Sequence, residues 1–172
     1  MIRLPISIRR AAVVVALSGV ACKGRDVVKD GASSSPTSKP GHYTLDDFRR
    51  LRWIEGRWEG FMPDGRKLYE SYTIDNDSTI VMRAFDDSTF RTVRYSARIA
   101  LRNSIITDEI SASSWAATRL DSSGLDFAPY RQARNHFTWA REDTTKWNVT
   151  FRSTDEQGRP QSMVYALHRF GR

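Results

Sequence analysis

From Gly56 onward the chain loses any helical period and alternates short β-prone runs with clusters of turn residues. The runs cover 57–61, 66–74, 79–85, 90–101, 105–111, 114–120, 136–141, 146–152 and 161–170. Between them lie clusters such as Pro63-Asp64-Gly65, Asp75-Asn76-Asp77-Ser78, Asp121-Ser122-Ser123-Gly124 and Asp155-Glu156-Gln157-Gly158. Strands of this length joined by short turns, with no crossover helix, predict an all-β meander. Eight or more such strands in one sheet curl and close, which removes the exposed edges. The expected fold is therefore a single antiparallel up-and-down barrel of about 8–10 strands. A two-sheet sandwich is the alternative. The segment 125–135 is the least regular, and Pro129 makes it a bend or an edge.

One short helix precedes the strands. Thr44 is spaced to cap the amide of Asp47, and Asp47 to reach back, a capping box with Asp in place of Glu. Leu45, Phe48, Leu51 and Arg52 recur at helical spacing, which ends near Trp53-Ile54. Such a helix is expected to close one end of the barrel.

The first 21 residues read as an address. Arg3, Arg9 and Arg10 are followed by an uncharged stretch, 11–21, and then by Cys22, the one cysteine of the 172 residues. A basic start, a short apolar stretch and small residues at its end describe a secretory signal. Eleven apolar residues make a helix of about 16 Å, well short of the roughly 30 Å hydrocarbon core, so no stable span is expected. Ser18-Gly19-Val20-Ala21-Cys22 resembles the lipobox of bacterial lipoproteins. The resemblance implies cleavage before Cys22, acylation of its thiol and amine, and attachment to a membrane through those chains. Lys23 rather than Asp after the cysteine implies the outer membrane, facing the periplasm.

Residues 22–41 form the lipidated cysteine and a linker without aromatic residues, too poor in apolar surface to offset the entropy of ordering. The domain occupies 42–172. Of the net charge of +7, the leader and the linker carry most, leaving about +2 for the domain. That balance offers no basic groove, so no nucleic-acid partner is expected.

Within the domain, Gly56-Arg57-Trp58 follows the short helix and opens the first strand. This Gly-x-Trp resembles the signature of the lipocalin-like (calycin) barrels. In that family an Arg on the last strand packs over the Trp, and Arg169 is the matching position. The indole would plug the closed end and the guanidinium would stack on its face. Leu51-x-Trp53-Ile54-x-Gly56-x-Trp58, Tyr69-Glu70-Ser71-Tyr72 and Asp126-Phe127-Ala128-Pro129 are similar to a group of small, uncharacterised bacterial lipocalin-like domains.

Candidates for chemistry are few. His42, His136 and His168 show no metal spacing and have no free cysteine to join them, so no metal site is expected. Some lipocalin-like barrels hold haem through a His near the last strand. His168, however, alternates to the face opposite Arg169, so no cofactor is expected. No Gly-x-Ser-x-Gly elbow occurs. Asp126 reads as a turn residue. Strand alternation places Glu70 and Tyr72 on one face; facing inward, Glu70 would be a buried acid needing a partner, and facing outward, a solvated one. Trp115 and Trp139 complete the candidate ligand-binding set.

All of the 5 Trp, 6 Tyr and 8 Phe fall after Gly41, which supports a packed barrel first and a ligand second. Two functions stay open: a tethered module binding a small, mostly apolar molecule, and a filled-barrel structural or assembly lipoprotein. An enzyme using Glu70 or His136 as acid or base is a more distant third. Interior residue size discriminates the first two. Gly60, Ser71, Ala97, Ala112 and Ala116 pointing inward would leave room, whereas Trp, Phe and Tyr would fill it.

Overall fold

A computed structural model describes residues 39–171. The expected leader, Cys22 and the linker up to residue 38 lie outside the described residues. Thr44 and Asp47 form the capping box, with Asp47 N–H donating to Thr44 Oγ1 at 3.2 Å and Thr44 N–H donating back to Asp47 Oδ2 at 2.9 Å. The α-helix itself is shorter than its sequence period suggests. It covers α1, Leu45–Arg49, and then tightens into a 3₁₀ turn, Arg50–Ile54. Phe48, Leu51 and Ile54 share the buried face of this segment and are at most 2% exposed.

Ten strands follow: β1 Gly56–Phe61, β2 Lys67–Asn76, β3 Thr79–Phe85, β4 Val93–Arg102, β5 Ile105–Ile110, β6 Ser113–Asp121, β7 Gly124–Arg131, β8 His136–Arg141, β9 Lys146–Thr154 and β10 Pro160–Arg169. Each pairs antiparallel with its sequence neighbour, and β1 pairs with β10 to close the barrel. The meander is thus a closed barrel, not a sandwich. Register follows side-chain period. Trp58 pairs with Glu70 and Arg169, Glu70 with Ala84, Ile99 with Asp108, and Phe127 with Phe137.

Two segments differ from the sequence reading, each for a local reason. Residues 124–131 form a regular strand in spite of Pro129. Pairing of β7 with β8 ends at Phe127–Phe137, while pairing with β6 continues to Trp115–Pro129. A missing N–H is tolerated on such a free flank. Asp126 consequently sits in a strand, where its Oδ2 accepts from Arg119 Nε at 2.6 Å. Phe90, expected to start a strand, lies in the loop before β4 with φ of 55°. It is drawn outside the barrel into a cluster with Phe85 and Phe170, at centroid distances of 5.1 and 4.9 Å, under the Arg57 guanidinium.

Candidate functional site

The end of the barrel beside α1 is built shut. Gly56 has φ of +123°, and a β-carbon there would collide with the Arg169 guanidinium. Glycine is required on both counts. The bare backbone lets Arg169 lie over Trp58, its guanidinium carbon 4.1 Å from the indole centroid. Arg169 also donates to the Trp53 carbonyl at 2.8 Å and to the Glu55 carbonyl. Trp58 is fully buried and donates its Nε1–H to the Ile54 carbonyl at 2.6 Å. One cation and one indole therefore bind the 3₁₀ turn to the first and last strands.

Below this stopper the interior is filled by rings. Trp147, which sequence reasoning did not single out, stands edge-on to Trp53, Trp58, Tyr72 and Trp139 at centroid distances of 5.7, 5.9, 5.8 and 5.5 Å. Trp139 is 4% exposed and also touches Phe127. Of the small residues that would have left room, only Ala97 belongs with Gly60 among the buried inner set. Ser71 alternates away from Glu70, Ala116 away from Trp115, and Ala112 lies in an exposed turn. The closed half of the barrel is a packed core.

Two carboxyls interrupt that core. Glu70, 2% exposed, faces inward with Tyr72, whose hydroxyl donates to Glu70 Oε2 at 2.8 Å. Burial pushes the Glu70 carboxyl up to about 7, with the Tyr72 hydrogen bond pulling it partly back. Asp108, 5% exposed, sits on the inner face between Ile99 and Trp115, and its Oδ1 has no hydrogen-bond partner. Burial, then the Glu70 and Glu109 carboxyls, push it up to about 7 as well. The sequence carried a signal for Asp108: it shares the apolar face of β5 with Ile106 and Ile110. Both acids can hold a proton near neutrality, but neither lines a solvent-open space.

The opposite end of the barrel is open. A cleft of about 250 Å³ lies at the mouth, floored by Met62, Leu68, Tyr95, Phe151, Met163 and Tyr165 and rimmed by Arg66, Lys67 and Arg94. Its walls come from the β1–β2 turn and from β2, β4, β9 and β10. Phe151 and Tyr165 stack with centroids 5.9 Å apart. The acid layer lies electrostatically close beneath. Burial and then the Glu70 and Asp108 carboxyls push the Tyr95 hydroxyl up to about 12, and burial, Glu70, Tyr95 and Asp108 raise that of Tyr165.

None of Glu70, Tyr72, Trp115 and Trp139 lines this cleft. Glu70, Tyr72 and Trp139 are buried inside the barrel. Trp115 packs on Phe137 at 5.6 Å and donates to the Asn135 carbonyl at 2.8 Å. His136 is half-buried on β8, while His42 and His168 are exposed. No group of three or more metal-ligating side chains occurs among the described residues.

No family model matches the chain, and no curated protein matches it. Among solved structures, it is similar to a redesigned beta barrel at 13% identity, with a TM-score of 0.32, over 70% of this chain and 95% of that one.

Proposed function

We propose that this protein is a lipocalin-like binding module, held outside the cytoplasm by a lipid anchor at Cys22 and taking a small, mostly apolar molecule at the mouth of its barrel. The observation that carries the reading is the solvent-open cleft with its aromatic and thioether floor above an otherwise packed interior. Binding sites for small molecules are concave and largely apolar with a few polar groups. The stopper formed by Gly56, Trp58 and Arg169 supports kinship with lipocalin-like barrels. The reading of attachment rests on the leader, Cys22 and the spacer after it, and Lys23 after the cysteine supports a periplasmic position at the outer membrane. Nineteen linker residues would span roughly 25 Å as a coil, a length that would suit a spacer between anchor and domain.

Native mass spectrometry of the protein purified from its own host tests the binding reading. A retained adduct that disappears in Met163→Trp, which fills the cleft, is the expected result. Repeated absence of any adduct supports the second reading, a filled structural or assembly barrel without a small-molecule ligand. The packing of Trp58, Trp139, Trp147 and Phe127 inside the closed half favours that second reading.

A further inference from the structure

We propose that the step where β1 stops short of β10 is a docking site for an extended peptide segment, which adds a strand along residues 162–166 and places one bulky apolar side chain in the cleft. The inference rests on the cleft being a binding site, as given above, and names the kind of partner it receives.

β10 is paired with β9 from Pro160 to His168, but with β1 only from Leu167 to Arg169. Residues 160–166 therefore have a strand neighbour on one side alone. Phe170 donates its N–H towards β1, to the Arg57 carbonyl at 3.0 Å, and Arg169 donates the other way, to the Thr145 carbonyl at 2.8 Å. Successive residues of a strand face alternate neighbours, so the N–H and C=O groups of Ser162 and Val164 point to the side that β1 has vacated. No protein group takes them among the described residues. Where other strands outrun a neighbour, the overhang is guarded. Residues 93–97 of β4 lie beyond its last pair with β5 and carry Arg94, and residues 128–131 of β7 lie beyond its last pair with β8 and carry Pro129 and Arg131. Charge and proline are the usual guards of a strand edge. Residues 161–166 have neither.

The cleft opens at this same step. Met62, the residue after β1, lines it together with Leu68 of β2, and Met163 and Tyr165 of β10 line it as well. A strand laid on β10 turns alternate side chains inward, as Met163 and Tyr165 are turned, and about 250 Å³ takes a single aromatic ring. Outward, it meets Phe61 and Val164, which are 59% and 53% exposed. The occupant is one extended segment and not a second barrel. The β1–β2 turn, tied by the Met62 N–H to the Arg66 carbonyl at 2.8 Å, walls the cleft opposite β10, so whatever lies on β10 is flanked on both sides. The edge is also small: its residues 160–166 span about 23 Å, one strand wide, against the roughly 800 Å² that each partner of a stable dimer buries.

Isothermal titration of the full chain in detergent, with the capped peptide acetyl-Ser-Thr-Gln-Phe-Gln-Thr-Ser-amide and with indole as probes, tests the proposal. The peptide is expected to bind, and to lose about tenfold or more in affinity when its phenylalanine is replaced by alanine. N-methylation of one alternate set of its residues should abolish binding and of the other set spare it, because only one edge of the peptide faces β10. Val164→Pro removes an N–H that points away from β9; it should keep the circular dichroism of the barrel and the indole affinity, and lose the peptide. The N-methylated peptides leave the protein unaltered, so they test the edge even where that variant fails to fold. Indole binding without peptide binding overturns the edge and spares the cleft, and failure of both probes overturns the two together. Equal losses from both N-methylated sets overturn strand addition. A dimer in sedimentation that Val164→Pro disperses overturns the choice of occupant, since a second copy would then hold the edge.

Discussion

Arg169 and Trp58, at opposite ends of the domain sequence, are cross-strand partners where β1 meets β10, and the guanidinium covers the indole at 4.1 Å. The strand pair that closes the barrel is thus also the pair that stoppers it. Arg169→Leu removes the stacking and strands the Trp53 and Glu55 carbonyls. A loss of about 2–3 kcal/mol is expected in urea unfolding. Arg169→Lys, which keeps the charge but not the planar fork, should recover only part of it.

Gly56→Ala tests the same junction from the backbone side. A side chain at φ of +123° is strained, and its β-carbon must displace the guanidinium. The expected cost is about 2 kcal/mol or more. Arg169→Leu in the same chain should make it smaller, because the collision is gone; a double-mutant cycle measures that coupling.

Trp147 is the hub of the packed half, meeting Trp53, Trp58, Tyr72 and Trp139 edge-on. Trp147→Ala should cost about 3–5 kcal/mol and abolish most of the near-ultraviolet circular dichroism. Trp115→Ala, half-buried near the mouth, should cost distinctly less.

The acid layer gives stability an unusual pH dependence. A carboxyl with its folded pKa raised keeps its proton in the native state while the unfolded chain gives its own up, so stability falls as pH rises. For Glu70 and Asp108 the window runs from about pH 4 to about pH 7. Glu70→Gln should match the parent protein near pH 4 and exceed it by about 3 kcal/mol at pH 8 in denaturant titrations. Asp121, held down to about 2 by Ser123 and Arg119, acts in the opposite sense and only at lower pH. An optimum near pH 4–5 follows. A flat profile between pH 4 and 8 would contradict the burial of these acids.

Attachment is tested apart from the barrel. Cys22→Ser should move the protein from the membrane fraction to the soluble one, and unchanged partitioning would refute the anchor.

The barrel was legible because alternation and turn clusters are local properties. The strand at 124–131 was obscured by Pro129, whose tolerance depends on where β7 stops pairing with β8, a fact of register and not of composition. Whether Glu70 faces inward was undecidable by alternation, since both faces of β2 carry tyrosine; its pairing with Trp58 decides it. The cleft was invisible. Arg66, Arg94, Phe151 and Tyr165 come from separate strands and turns, and no spacing in sequence announces that closure brings them to one mouth.

Methionine methyls offer the most direct test of the mouth as a binding site. Met62 and Met163 line the cleft, whereas Met82 is buried in the core. In a ¹³C-methyl-labelled chain titrated with indole, a small and mostly apolar probe, saturable shifts of Met62 and Met163 with Met82 unmoved are the expected result. Shifts at all three together, or at none, would contradict the account.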